Sequence, residues 1–485
     1  MADGRAEAPA GRAAARERLA SRRFDLLVVG AGIVGAGVAE AASAHGLEVA
    51  LVDRGDFGGA TSSASSKLIH GGLRYLRLGD VGLVREAHSE RRVLMRIVAP
   101  HLVRRLPFLI PLYEDGPYAP WLVQSGIVLY SALAGARLHG LVPPDRARRL
   151  VPELRAERLR SCALSADAWT NDARLTLANV RGAAERGATV VNYAEVTALR
   201  GGEGAEVAAD GDVVAVRARA VVNAAGPWVD RIRRLEDGRA RASVRLSKGV
   251  HVFVEGGRWR AALAIPHDTV RVTFAVPWEG MLLLGTTDTP FDGEPETAAV
   301  NGADVEQVLA EAAVGVEQTG PVREAFCGLR VLPGGRGDTA SARRETVFST
   351  GPTGMVSVAG GKLTTYRRIA LEALLHAGVR GLSRRPRALP GATGLDRIEW
   401  PVELDPATRA HLLHLYGSLA PEVLAPAVAD RSLLEPLEEG RPDLRAQALY
   451  ARTHEWAVTD DDVLRRRTTA WLAASREPAG DTLRP

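Results

Sequence analysis

Lysine occurs only three times in the 485 residues, at Lys67, Lys248 and Lys362, against 59 arginines. A chain that accepts arginine almost everywhere keeps lysine where a compact, titratable ammonium is required. All three sit beside glycine, serine or histidine, in SSKLIHGG, SKGVH and GGKLTTY; three strays falling there by chance is the competing explanation. His70 precedes two glycines that leave backbone open to a flat ring, and Arg74 and Tyr75 supply an anion contact and a hydroxyl. His251, three residues after Lys248, is a second acid–base candidate, or an ordinary inward-facing strand residue. Arg330 in CGLRVLPG and the Arg343-Arg344 pair in SARRETV are flanked by small or turn residues. Such arginines suit bidentate capture of carboxylate or phosphate, each bond contributing about 1.5 to 3 kcal/mol, unless they are simply solvated surface. The chemistry in prospect is proton transfer beside a captured small anion.

These side chains need a frame. Gly30-Ala31-Gly32-Ile33-Val34-Gly35 fits GxGxxG between an apolar strand (FDLLVVG) and a small-residue helix that runs to Gly46, and Asp53 ends the next strand, LEVALVD. Strand, glycine turn, helix, strand and terminal acid together spell a dinucleotide-binding βαβ unit. Gly30, Gly32 and Gly35 let backbone N–H groups approach a pyrophosphate at a helix N-terminus, and Asp53 accepts from the adenosine ribose. The motif does not choose between NAD and FAD.

Further along, Asp80 to Val98 and Ala173 to Arg186 read as helices, and 243–290 turns β-rich with turn signals between short runs. A strand, Gly-Gly turn and helix recur in MVSVAGGKLTTYRRIALEALLHAG, and 400–475 look helical after an Arg/Pro-rich connector. The expected class is α/β: a Rossmann-type domain over 24–242, an antiparallel β-rich domain over 243–340, a return to the first domain over 341–385 and a helical unit over 395–485. Residues 1–23 are expected to be a mobile basic extension.

Composition excludes several classes. Apolar residues make up 46% and charged residues 25%, as in ordinary soluble proteins. Residues 1–23 carry six arginines against three acids, so most of the net +4 lies there and the body is not a nucleic-acid-binding surface. Two cysteines without CxxC spacing exclude a disulfide scaffold and a cysteine-based zinc or iron–sulfur site; no metal is expected. The N-terminus lacks an apolar signal core. The uncharged stretch 116–136 contains two prolines, Gln124 and Ser125, and reads as a buried helix, or as an interfacial helix dipping into one leaflet, rather than a span of about 20 residues.

In order, GAGIVGAG, ATSSASSKLIHGGLRYL, WTNDARL, VVNAAGPWVD, SKGVHVFV, LLLGTTDTPFDG and GGKLTTYR closely resemble the FAD-dependent glycerol-3-phosphate dehydrogenases of aerobic bacteria and mitochondria. HEWAVTDDDVLRRRT is similar to that family's helical C-terminal cap. The resemblance implies noncovalent FAD, with Gly30, Gly32, Gly35 and Asp53 at its ADP half, Thr61, Ser62, Gly361 and Lys362 at the pyrophosphate, ribityl or ring, and Gly226 giving close backbone approach. It implies glycerol 3-phosphate as substrate, met by His70, Arg74, Tyr75, Thr286, Arg330, Arg344 and Lys362, with hydride passing from C2 to flavin N5. Arg330 and Arg344 take the phosphate; His70 or His251 is the base and Lys362 or Arg74 the cation, unless burial among arginines makes Lys362 the base. The implied acceptor is a membrane quinone, making the protein cytoplasmic and peripheral on the inner face of the cell membrane, and a homodimer is possible. Related oxidases use dioxygen. A D-amino-acid or glycine oxidase shares the fold, and a non-catalytic flavin-binding protein is the alternative of another class. Asp53 stands where glutamate is more common, and Asn171 where aspartate is.

Overall fold

A computed structural model describes residues 10–71, 81–118, 121, 123–126, 128, 140–256, 258–268, 271–334 and 346–473. Helix α1 (Ala10–Ser21) leads into strand β1 (Arg23–Val29), helix α2 (Ile33–Ser43) and strand β2 (Val49–Val52). Strand β3 (Leu68–Ile69), helix α3 (Val81–Val93) and strands β4 (Arg104–Tyr113), β5 (Leu141–Val142) and β6 (Leu159–Trp169) follow. Helix α4 (Asp172–Glu185) precedes β7 (Thr189–Val191), β8 (Ala194–Leu199), β9 (Gly204–Ala209), β10 (Asp212–Asn223) and helix α5 (Val229–Glu236). Then come β11 (Val244–Glu255), β12 (Ala262–Pro266), β13 (Val272–Trp278), β14 (Met281–Gly285), β15 (Thr289–Phe291), helix α6 (Gly302–Ala312) and β16 (Val322–Pro333). Strands β17 (Thr346–Thr350) and β18 (Val356–Gly360) and helix α7 (Tyr366–His376) close this region, and short helices fill 406–472.

Two sheets organise the molecule. The first runs β17-β18-β10-β1-β2-β7, with β18, β10, β1, β2 and β7 parallel and β17 antiparallel at the edge. β1 and β2 are apolar because both faces are covered, and Leu26, Val28, Leu51 and Val222 pack with Ala36, Val38, Val180 and Ala373 of the surrounding helices. α4 starts where it does because the Asn171 side chain accepts from the Arg174 N–H, an N-cap that serves as well as aspartate.

The second sheet runs β15-β11-β14-β13-β12-β4-β6-β3, with β16 also on β11. It corrects the expected boundary, because β3, β4, β5 and β6 come from within 24–242 yet pair into this sheet. Leu109 of β4 packs with Leu263 and Ala275 in the same core, an apolar pairing too distant in sequence to be read locally.

The expected mobile extension is corrected as well. From Ala10 to Ser21 the chain is helical and docked: Ala15 and Leu19 are buried against the first sheet, and Arg12 Nη1 donates to Asn192 Oδ1 at 2.7 Å while its Nε reaches Asp210 at 3.0 Å. The Ala/Arg composition, read as a tail, is that of a helix whose buried face is Arg12, Ala15 and Leu19. Within 116–136 the described side chains are not those of a buried helix either, since Trp121 is 70% and Val128 39% exposed.

The C-terminal unit is fastened to the loop after β2. Asp56 accepts from Arg467 at 2.8 Å and pairs with Arg466, and Arg174 of α4 meets Glu455 at 2.6 Å. Asn192 joins Asp56 at 3.1 Å and the Trp456 carbonyl at 2.8 Å, so Arg12, the nucleotide loop and the C-terminal unit form one buried polar network. On the far side, Glu279 of the β13–β14 turn lies 3.1 Å from His414 and 3.8 Å from His411, which is 2.9 Å from Asp443.

Candidate active site

The glycine motif is required by geometry. Gly30 has φ +97°, and a Cβ there would lie 2.7 Å from the Ala224 carbonyl oxygen; a Cβ on Gly35 would lie 1.8 Å from the Gly30 carbonyl oxygen. β1, α2 and β10 therefore meet backbone to backbone, leaving the α2 N-terminus open to a phosphate. Asp53 accepts from Ala31 N at 2.7 Å and Gly55 N at 2.9 Å. Burial pushes its carboxyl up to about 6 against the pull of those two N–H groups.

Strand alternation builds the opposite end. β11 and β16 are antiparallel with Ser247 opposite Arg330, Gly249 opposite Gly328 and His251 opposite Phe326, so these side chains share one face. Lys248 points the other way, where its Nζ meets Asp304 of α6 at 2.6 Å. A Cβ on Gly249 would lie 2.6 Å from Arg330 Nη2; its absence lets the guanidinium lie across the strand. Arg330 is aimed by Thr286 Oγ1 at 2.8 Å, the Thr287 carbonyl at 3.0 Å and Asp288 at 3.4 Å.

His251 is buried, stacks on Phe326 with centroids 5.1 Å apart, and has Nε2 2.8 Å from Ser66 Oγ. Burial, then the positive charges of Arg330 and Lys67, hold its pKa well below the usual histidine value, so the ring is neutral at pH 7. Ser66 is fixed by a buried anchor. Lys67, at φ +60°, places its ammonium 2.7 Å from Asp172 Oδ1, while Asp172 Oδ2 accepts from Ser65 N at 3.1 Å and Ser65 Oγ at 2.6 Å. His70 is half-buried; its N–H donates to Thr364 Oγ1 at 3.2 Å, tying β3 to the turn after β18 that carries Gly361 and Lys362.

A single cavity of about 810 Å³ joins both ends. Gly30, Gly32, Asp53, Thr61, Ser62 and Gly226 line it together with His70, His251, Arg330, Gly361 and Lys362. Gly35 and Thr286 are not in its wall: one lies under the glycine turn and the other holds Arg330. Thr61 gives its hydroxyl to the Leu329 carbonyl at 2.8 Å, and Ser62 Oγ accepts from Ile33 N at 2.9 Å, so both brace the loop. Arg74, Tyr75, Arg343 and Arg344 lie outside the described residues.

Of the three lysines only Lys362 lines the cavity; Lys67 and Lys248 use their ammonium groups in buried ion pairs with Asp172 and Asp304. Sequence reasoning missed Ser66, Ser247, Asp288, Thr364 and Asp172. The serine run around Lys67 was the available signal for Ser66, whereas Asp172 and Thr364 become partners only through the fold. An elongated cavity with a glycine cradle at one end and cations at the other suits a dinucleotide whose reactive ring faces a small anion.

A family model described as FAD dependent oxidoreductase matches residues 25–367, and one described as the C-terminal domain of alpha-glycerophosphate oxidase matches 356–479. Glycerol-3-phosphate dehydrogenase 2 of Mycobacterium tuberculosis is 39% identical over 95% of this chain and 83% of its own length. D-erythritol 1-phosphate dehydrogenase of Brucella abortus is 34% identical over 92% of this chain and 94% of its own. Among solved structures, the glycerol-3-phosphate dehydrogenase of Bacillus halodurans complexed with FAD superposes with a TM-score of 0.75 at 28% identity, covering 95% of this chain and 88% of that one.

Proposed function

Because the chain belongs to the FAD-dependent glycerol-3-phosphate dehydrogenase family and its cofactor is FAD, we propose that it oxidises sn-glycerol 3-phosphate to dihydroxyacetone phosphate. The observation that carries this reading is the single cavity joining the glycine cradle to Arg330, Lys362, His70 and His251. Bound FAD supplies the acceptor for the hydride leaving C2. Arg330, pre-aimed by Thr286 and Asp288, binds the phosphate dianion. Neutral His251 accepts the C2 hydroxyl proton, and Ser66 fixes its ring orientation. Lys362 stabilises the oxygen as it loses that proton. Arg74, Tyr75 and Arg344 complete the substrate contacts in this proposal.

Electrons then pass to a quinone, with the protein on the inner face of the cell membrane. No helix among the described residues is long and apolar enough to cross a membrane, and exposed Trp121 and Val128 favour surface contact. Anaerobic addition of glycerol 3-phosphate to the FAD-loaded protein should bleach the oxidised flavin, with D-erythritol 1-phosphate, D-amino acids and glycine bleaching it far more slowly. Equal bleaching by D-erythritol 1-phosphate would reassign the substrate. Reoxidation by a soluble quinone without hydrogen peroxide separates dehydrogenase from oxidase, and a flavin that no phosphorylated polyol bleaches would leave a binding protein.

A further inference from the structure

Four side chains converge beside Asp53, and three of them line the cavity: Arg54, Trp228 and Arg231. Arg54 follows Asp53 directly, Trp228 ends the turn after β10, and Arg231 lies in α5. The Arg54 guanidinium carbon sits 4.5 Å from the Trp228 ring centroid. The fourth, Glu296, belongs to the β-rich body, in the turn between β15 and α6. Its Oε1 gathers Arg54 Nη1 at 2.7 Å, Trp228 Nε1 at 2.8 Å and Arg231 Nη1 at 3.2 Å, and Arg231 also reaches Glu195 at 3.6 Å. One carboxylate oxygen from the β-rich body thus holds three donors from the segments that follow β2 and β10.

An exposed ion pair alone contributes little. This arrangement differs because its donors form the wall of the cavity at the acid that ends β2, where the adenosine half of a dinucleotide lies in a βαβ fold. Stacked guanidinium and indole present a flat, polarizable surface of the kind that receives an adenine ring. We propose that Arg54, Trp228 and Arg231 form the adenosine wall of the FAD site, and that Glu296 is a positioning residue clasping that wall from the β-rich body and so setting how long FAD stays bound. This rests on FAD being the occupant.

The test follows FAD release from the holoprotein by flavin fluorescence, and titrates the apoprotein calorimetrically with FAD and separately with ADP. Arg54→Ala should release FAD about tenfold faster, a factor equivalent to losing about 1.4 kcal/mol, and Glu296→Gln about threefold to fivefold faster. ADP binding should weaken by the same factors as FAD binding, because the effect resides in the shared adenosine half. Trp228→Phe keeps a ring and removes the indole donor, so it checks the clasp should Glu296→Gln fold poorly. Variants that bind and release FAD like the wild type would overturn the proposal, as would weakened FAD binding with unchanged ADP binding. A wild-type apoprotein that takes up no FAD at all would instead remove the reading beneath it.

Discussion

At the residue scale the proposed mechanism turns on His251. Its surroundings disfavour the imidazolium, so the ring stays neutral below pH 6.5. The rate of flavin reduction by substrate should stay on its plateau through pH 6.5 and fall only at lower pH, and His251→Gln should slow it about 100-fold or more with little change in substrate affinity. Stopped-flow reduction across pH decides this; a His70→Gln variant with the larger rate loss would give His70 the role. Arg330→Ala should raise the dissociation constant of the phosphorylated product by roughly 10- to 150-fold, the factor for about 1.5 to 3 kcal/mol of charge-assisted bonding, measured by titrating the oxidised flavin spectrum with that product. His251 and Arg330 were legible in the sequence from their immediate neighbours, Lys248 three positions before one and small or turn residues around the other, although the glycines that make room for them, Gly285 and Gly249, lie on adjacent strands. Ser66 and Asp288 were not, since each is defined by a partner at least 40 residues away in chain order.

At the element scale, β11 shows how two-residue periodicity sorts roles: Gly249 and His251 line the cavity and Ser247, on the same face, lies beside Arg330, while Lys248 is buried against α6. That sorting explains why a lysine and a histidine three positions apart in SKGVH do different work. The GxGxxG unit was readable because every part of it is local, whereas the pairing of β4 and β6 with the later β-rich strands was not, depending on which apolar faces meet. The junction between the β13–β14 turn and the helix Pro406–Tyr416 carries its own pH signature. Burial opposes a charged His411, yet Asp443 and Glu279 raise its pKa to about 9. Glu279 is correspondingly held below the usual carboxylate range by His414 and His411 despite its burial. A raised folded-state value means this contribution to stability is complete below about pH 6.5 and disappears as pH climbs through about 9. The melting temperature of the wild type should therefore drop across that window, and His411→Gln should melt lower at pH 7 with a flatter alkaline profile; parallel curves would refute the assignment.

At the scale of the whole molecule, the network around Asp56 ties α1, the nucleotide loop and the C-terminal unit together. Replacing Asp56 leaves buried arginines without their partner, a loss of about 3 to 5 kcal/mol for a buried pair. Asp56→Asn should consequently make the Arg/Pro-rich connector, residues 380–392, much more susceptible to limited proteolysis, with FAD restoring part of the protection; a wild-type digestion pattern would count against that coupling. The family resemblance reached this region only through the HEWAVTDDDVLRRRT run, and nothing in that run named Asp56 as the residue it grips. The parallel sheet has a different consequence. β18 joins β10 from more than 130 positions downstream, and Lys362 follows it, so the flavin cradle is incomplete until about three-quarters of the polypeptide has been synthesised. Until β10 and β18 have been made, the early βαβ unit has an unsatisfied sheet edge, the kind of surface that favours wrong pairing in a nascent chain.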